Sequence, residues 1–312
     1  MEQQVISFLN ENYPLHIHTA KAVTNEMYRC IDDQGTYYAR ITNYKPYEEQ
    51  LEEVSWTNAL YREGVGVAPA IPSCRGQIVE LMPPKDIIVV VYKAAPGIHL
   101  PRGEWNADVL AELGRQIGRM HRITQSYEAN HRLHHLGDWH DQEEYNFEQY
   151  IPAEETAIRA IAANVLAEVK KLPRERATYG LIHGDLWLEN ILVDRGSSLT
   201  MIDFQDCEKH YYMYDLAVPL YSALEFSFAG AGNIRDYGIS IANALLEGYQ
   251  EEHTLDPEML KQLPLFLKLK EIFEYNLMNM YWDRERLSEE QIRIMNLYRL
   301  RIEHHVQLLE WD

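Results

Sequence analysis

Two short runs rich in Tyr, Ile and Met, Met27 to Ile31 and Thr36 to Ile41, flank the polar segment Asp32-Asp33-Gln34-Gly35. Apolar runs of this length around such turn chemistry predict a β-hairpin. After Pro46 the apolar positions change phase: Leu51 and Val54 stand three apart, and Trp56, Ala59 and Leu60 continue at spacings of three and four. That is the period of a helix face, and Gly64 supplies its stop. Gly76 to Met82 and Asp86 to Tyr92, parted by Pro83-Pro84-Lys85, read as a second pair of strands. Ile87 to Tyr92, the longest apolar run, is too short for anything but a buried strand.

Beyond Pro96-Gly97 the pattern becomes helical. Leu110, Leu113, Ile117 and Met120 mark one face of a helix over about 106–124, and further helices are predicted over 153–171, 233–251, 256–282 and 287–309. One segment interrupts them. Between 180 and 204 the runs Leu181-Ile182, Ile191-Leu192-Val193 and Leu199-Thr200-Met201-Ile202 predict loop, strand, turn, strand. The expected architecture is α+β: a small N-terminal antiparallel sheet with one helix over 1–92, then a larger, mainly helical region with one β-hairpin over 93–312.

Composition narrows the possible partners. At 312 residues the chain exceeds the size at which a single core keeps growing, so one large or two modest domains are expected. With 46% hydrophobic and 25% charged residues it carries enough apolar surface to fold, which excludes a disordered chain. Lys plus Arg total 29 against 48 Asp plus Glu, a formal charge of -19 that repels phosphate backbones and anionic headgroups. Neither nucleic acid nor a membrane surface is an expected partner. Cys30, Cys74 and Cys207 are odd in number and lack C-x-x-C spacing, so a disulfide framework and a zinc knuckle are both unsupported and a reducing compartment fits best. Met1-Glu2-Gln3-Gln4 does not open a basic-then-apolar leader, and no run is long enough to cross a bilayer, so a cytoplasmic protein is expected.

The chemistry is concentrated in Leu181-Ile182-His183-Gly184-Asp185-Leu186-Trp187-Leu188-Glu189-Asn190-Ile191-Leu192-Val193, followed by Met201-Ile202-Asp203-Phe204-Gln205-Asp206. Phosphoryl transfer needs a carboxylate to orient the attacking hydroxyl and oxygen ligands to hold Mg²⁺ on the phosphates. Asp185, Asn190 and Asp203 supply that set. The Asp-x-x-x-x-Asn spacing spans a loop, which lets Asp185 face an acceptor while Asn190 enters a strand, and the hairpin then returns Asp203 beside Asn190.

The segment resembles the catalytic loop and metal-binding hairpin of the aminoglycoside phosphotransferase, choline kinase and type II homoserine kinase superfamily, which has a bilobal protein-kinase-like fold. The family pattern H-G-D-x-x-x-x-N followed by I-D-F is matched by His183, Gly184, Asp185, Asn190, Ile202, Asp203 and Phe204. The resemblance implies that Asp185 is the catalytic base and that Asn190 and Asp203 are Mg²⁺ ligands. His183 would support the loop, and Asp215, in Asp215-Leu216-Ala217, would brace it. In the first region Arg40 would be the phosphate-binding cation, with Lys45 as the alternative, and Glu53 its helix partner. Val91, Tyr92 and Ala94 would hold adenine, because Ile88 to Tyr92 with Pro96-Gly97 resembles the strand and hinge of the family. The implied reaction is ATP- and Mg-dependent transfer of the γ-phosphoryl group to a hydroxyl of a small molecule such as an amino alcohol, homoserine-like or aminoglycoside-like acceptor. Trp187, Glu189, Asp206, Tyr275, Asn279 and Trp282 are the acceptor-site candidates.

Three departures qualify the resemblance. No glycine precedes Gly35, so the Gly-rich loop of protein kinases is absent; Arg40 stands where Lys is common; and Trp187 replaces a frequent His. Plainer readings stand beside the functional ones. Asp185, Asn190 and Asp203 also suit turns, Asp215 also suits a helix N-cap, and Asp206 also suits an exposed turn. Glu53 lies in an acidic run with Glu48, Glu49 and Glu52, and Phe273, Leu277 and Met280 form a core stripe opposite Tyr275, Asn279 and Trp282. His131, His134, His135, His140, Asp138 and Asp141 fit no zinc template. A protein Ser/Thr kinase and a nucleotide-binding module without turnover are the rival functions.

Overall fold

The structure, a computed structural model, describes residues 1–84, 87–194, 198–225 and 234–309. Lys85, Asp86 and Asn233, at the ends of a predicted turn, strand and helix, lie outside them. The first elements are α1 (Glu2–Asn12), β1 (Thr19–Ala22), β2 (Met27–Asp32), β3 (Gly35–Thr42), α2 (Tyr47–Arg62), β4 (Glu80–Met82), β5 (Ile87–Lys93) and β6 (Ile98–His99). Then come α3 (Ala107–Asn130), α4 (Phe147–Tyr150), α5 (Thr156–Lys171), β7 (Tyr179–Ile182), β8 (Ile191–Val193), β9 (Leu199–Met201) and β10 (Glu208–Tyr211). Five helices follow: α6 (Tyr212–Leu224), α7 (Ile234–Glu252), α8 (Pro257–Leu260), α9 (Leu263–Tyr281) and α10 (Glu289–Glu303).

The described residues cluster into two compact units that do not follow chain order. A smaller one takes 1–99, 126–136 and 190–205, and a larger one takes 100–125, 137–189 and the residues after 205. A cut between 92 and 93 follows the chain; the contacts instead count the β8–β9 hairpin with the smaller unit. There the Met201 amide donates to the Gly66 carbonyl at 2.8 Å, and Ile98 and His99 pair with Val193 and Leu192.

In the smaller unit the antiparallel sheet runs β1-β2-β3-β5-β4. Successive strand residues point to opposite faces, so Val89 and Val91 pack with Val5, Phe8 and Leu9 of α1, while Ile88 and Val90 pack with Val54 of α2 and with Val79. Burial on both faces is why β5 is an unbroken apolar run rather than an alternating one. Each such valine contributes roughly 1.5–3 kcal/mol by leaving water. Neither α1 nor β1 is expected from the sequence: α1 buries only Val5, Phe8 and Leu9 of its eleven residues, and in β1 Ala20 alone is buried.

The larger unit is organised by a two-stranded ribbon in which Tyr179 pairs with Tyr211 and Ile182 with Glu208. The ribbon sends the chain directly into the His183 turn at one strand end and into α6 at the other. Helix α6 is buried along nearly its whole length, which erases the period of 3.6 from its sequence and explains why no helix was predicted there. The predicted helix 256–282 is two helices. Pro264 lies in the first turn of α9, where its missing N–H costs nothing, and Pro257 opens α8 behind the Asp256 cap. Among the described residues, no helix is long and apolar enough to cross a membrane.

Helices α3 and α7 meet backbone to backbone through glycine. A Cβ on Gly114 would lie 2.0 Å from the Leu245 carbonyl oxygen, and one on Gly248 would lie 1.9 Å from that of Ala111. Neither neighbour is a side chain that could turn away, so Gly248→Ala is expected to destabilise the fold by about 1–3 kcal/mol despite alanine's better helix propensity. Urea unfolding of the variant measures this; equal or greater stability than the parent would contradict the packing.

Candidate active site

The turn after β7 is shaped by one buried side chain. Asp215 lies in the first turn of α6, past the N-cap Tyr211, and is fully buried. Its Oδ2 accepts the His183 amide at 2.9 Å and its Oδ1 accepts the Gly184 amide at 2.9 Å. Asp215 therefore braces the loop and does not cap the helix. Gly184 has φ +82, and a Cβ there would stand 2.5 Å from the Asp206 carbonyl oxygen, so both conformation and space require glycine. The His183 ring is buried, and its Nδ1 accepts the amide of Asp185 at 3.3 Å.

A relay of buried rings backs this brace. His121 Nε2 lies 3.0 Å from Asp215 Oδ2, and its Nδ1 lies 3.0 Å from the Tyr249 hydroxyl. Burial pushes the His121 pKa down against the pull of Asp215, which leaves a neutral ring with its proton on Nε2, donated to the carboxylate. Tyr249 then donates to Nδ1. His253 Nε2 faces the Gln125 side-chain amide at 3.0 Å, so the His253 proton sits on Nδ1, 2.8 Å from the Thr254 carbonyl.

Beyond the turn, Asp185 is partly exposed, and its Oδ1 lies 3.4 Å from Nζ of Lys270 on α9. Lys270 is fully buried, 2.7 Å from Glu274 Oε1, and its ammonium lies over the Trp187 ring at 5.2 Å. Burial opposes its charge, but Glu274, Tyr214 and Asp185 outweigh that and hold the ammonium protonated. The loop is tied down again at Ser222, whose Oγ accepts the Leu188 amide at 3.2 Å and whose carbonyl accepts from Arg102 at 2.6 Å. Arg102 also pairs with the exposed Glu189 at 2.8 Å.

In the smaller unit the β8–β9 register, Ile191 opposite Met201, places the ends of the hairpin together, and the Ile202 amide donates to the Asn190 carbonyl at 2.9 Å. Asp203 is exposed and left-handed at φ 63, a conformation Asp tolerates better than most side chains. Phe204, next in sequence, meets Trp56 of α2 edge to face at 5.4 Å. An amide oxygen and a carboxylate on neighbouring backbone are hard donors of the kind a divalent cation takes.

Arg40 on β3 and Glu53 on α2 form a bidentate pair, with both bonds at 2.9 Å and both side chains 3% exposed. Burial alone would lower the Arg40 pKa, but Tyr92, Glu53 and Asp203 raise it above its ordinary value. Lys45 pairs instead with Glu49 at 2.8 Å, so among the two candidate cations it is Arg40 that faces Glu53. Val91, Tyr92 and Ala94 lie at the end of β5 and just past it. The Val91 carbonyl accepts from Ile71 at 2.8 Å, and the Ala94 amide donates to Thr36 at 3.1 Å.

A model of the phosphotransferase enzyme family matches residues 19–257. The chain belongs to that family. It is a phosphotransferase with the protein-kinase-like α+β fold, and ATP-dependent phosphoryl transfer to a small-molecule hydroxyl goes with that membership. The amicoumacin kinase of Bacillus subtilis (strain 168) is 28% identical over 293 residues, covering 92% of this chain and 87% of that protein. A solved amicoumacin kinase in complex with AMP-PNP, Ca2+ and Ami is 26% identical with a TM-score of 0.91, covering 100% of this chain and 96% of that one. A microcompartment-associated aminopropanol kinase has a TM-score of 0.74 at 20% identity, covering 97% of this chain and 95% of that one.

The acceptor candidates of this phosphotransferase all belong to its larger unit, with Tyr275 and Asn279 on α9 and Trp187 against Lys270 of the same helix. Tyr275 is 1% exposed and its hydroxyl donates to Glu155 Oε2 at 2.6 Å, whereas Phe273, Leu277 and Met280 are only half-buried. The expected stripe is thus rotated, because α9 is buried on more than one side. Asn279 donates to the Tyr275 carbonyl at 2.7 Å, Trp282 caps the end of α9, and Asp206 is exposed. Asp138, His140 and Asp141 come within 4.8 Å of one another, but Arg174 pairs with Asp138 at 3.1 Å, so a cation of the chain already serves the cluster. Lys270 and Glu274 were not anticipated. Their signal is a charged residue in phase with the buried positions Phe266 and Leu263 of an apolar helix.

Two outcomes test these arrangements. Glu53→Leu leaves a buried guanidinium without its partner and is expected to cost about 3–5 kcal/mol, while Arg40→Met/Glu53→Leu recovers most of it; urea unfolding of both decides. Burial, with His121 nearby, lowers the His253 pKa from 6.5 to about 4. The unfolded chain therefore binds more protons than the native one between those values. The His253 contribution is complete above about pH 6.5 and is lost as pH falls toward about 4. The thermal midpoint should fall through that window, with a shallower slope in His253→Gln; parallel slopes would remove His253 as a source.

Proposed function

We propose that this phosphotransferase transfers the γ-phosphoryl group of ATP to the hydroxyl of a small amine-bearing alcohol, with Mg²⁺ as the divalent cation. The observation that carries the reading is Asp185: a partly exposed carboxylate on a turn whose preceding amides are fixed by Asp215. In this reading Asp185 accepts the proton of the acceptor hydroxyl as its oxygen bonds to the γ-phosphorus and the bridge to the β-phosphate breaks, giving a phosphate ester and ADP. Asn190 and Asp203 would hold Mg²⁺, which when bound offsets the charge of the phosphates. Arg40, kept in place by Glu53, contributes fixed positive charge toward the phosphate oxygens. The acceptor class is supported by the net charge of -19, which favours cationic ligands, and by similarity to kinases named for amicoumacin and aminopropanol.

Labelled ATP offered with amino alcohols, sugars, hydroxyl-bearing antibiotics and generic protein acceptors tests the reading. Label is expected on an amine-bearing alcohol; label on protein alone, or ATP bound but never turned over, would replace it. Asp185→Ala should slow turnover roughly a hundredfold to ten-thousandfold while nucleotide binding persists. Asp203→Ala should lose Mg²⁺-dependent nucleotide binding, and a variant that keeps it would disprove the ligand assignment.

A further inference from the structure

We infer that Lys270 is a positioning residue that fixes the rotation of the Asp185 carboxylate, with Glu274 as its anchor; this rests on the reading of Asp185 as the base. The brace from Asp215 acts on backbone, at His183 and Gly184. It sets where the Asp185 Cα stands but leaves two side-chain torsions to be fixed. Lys270 reaches the carboxylate itself, at Oδ1, from a helix far along the chain.

The environment of Lys270 suits this role. Its ammonium is fully buried, between the Trp187 ring at 5.2 Å and the Phe273 ring at 4.9 Å, so it cannot move into solvent. Glu274, one turn along α9, takes the shorter contact at 2.7 Å and Asp185 the longer at 3.4 Å. Glu274 thus holds the cation in place, and the cation holds Asp185 more loosely, as a group that must also receive a proton requires. For stability alone, apolar residues at 270 and 274 together would serve at least as well, because burying an ion pair seldom returns more than its desolvation costs. A buried ammonium that touches the base from behind is explained by orientation: a reacting group displaced by about 1 Å can lose about a hundredfold in rate.

Four variants test the inference: Lys270→Met, Lys270→Arg, the double Lys270→Met/Glu274→Leu, and Asp185→Asn. Lys270→Met should lower kcat about 10- to 100-fold with little change in the KM for ATP, and Lys270→Arg should recover part of it. The double variant leaves no unpaired carboxylate on α9 and should regain thermal stability without regaining kcat. A double variant with parental kcat would show that Lys270 only neutralises Glu274, and would overturn the inference. A readout without turnover accompanies these. The change in thermal midpoint on Asp185→Asn should differ between the parent and the Lys270→Met background, and equal changes would also overturn it. A parent protein that phosphorylates nothing would defeat the proposed reaction, with the midpoint comparison still deciding whether Lys270 and Asp185 are coupled.

Discussion

The larger unit depends on the carboxylate of Asp215, which is buried and accepts hydrogen bonds from two consecutive amides and one imidazole. Amides at a left-handed turn cannot be satisfied by a strand ladder, and leaving one unpaired in the interior costs roughly 1–3 kcal/mol. Asp215 meets that demand for His183 and Gly184 together. Because the acid is carried by a helix buried along nearly its whole length, the turn inherits the rigidity of the core. His121 of α3 and Tyr249 of α7 extend the same chain of contacts, so three helices fix the place where β7 releases the chain.

In the smaller unit the corresponding work is done by one face of α2. Glu53 grips Arg40 on β3, and Trp56, one turn later, meets Phe204, the residue after Asp203. Glu52 accepts the amides of His134 at 2.8 Å, His135 at 2.9 Å and Leu136 at 3.1 Å, and these contacts pull its pKa down against burial. The acidic run that looked like a solvated face is split by burial: Glu53 is 2% exposed and fully paired, Glu52 holds a loop, and Glu49 pairs with Lys45. A shift of α2 along its axis would move Arg40 and the Asp203 segment together.

What the sequence disclosed followed the range of the interactions. Asp185, Asn190 and Asp203 lie within nineteen residues in a loop and hairpin, so spacing alone places them on the right local elements. Helix α2 and strand β5 declared themselves through period and through an unbroken apolar run. Asp215 stayed ambiguous between cap and brace because its partners, His183 and His121, are distant in sequence. Lys270 was missed for the same reason: a lysine in an amphipathic pattern reads as solvent-facing until its carboxylate partners are located. Helix α6 lacked any polar face to mark its period, and the rotated stripe of α9 shows that a helix buried on several sides defeats a single-face reading.

The position of Lys270 also bears on how the proposed amine-bearing acceptor would be recognised. Charge and ring attraction together favour a cation beside a carboxylate and an indole, and Trp187 follows Asp185 by two residues. One face of that indole is already occupied by the Lys270 ammonium, and the indole meets the Tyr221 ring edge to face at 6.1 Å. A second ammonium on the occupied face would be repelled by the first at short range in a medium of low dielectric. For the proposed acceptor, a carboxylate would be a more favourable seat than the occupied ring face. Trp187 then acts on Asp185 indirectly, as part of the wall around the Lys270 ammonium that contacts it.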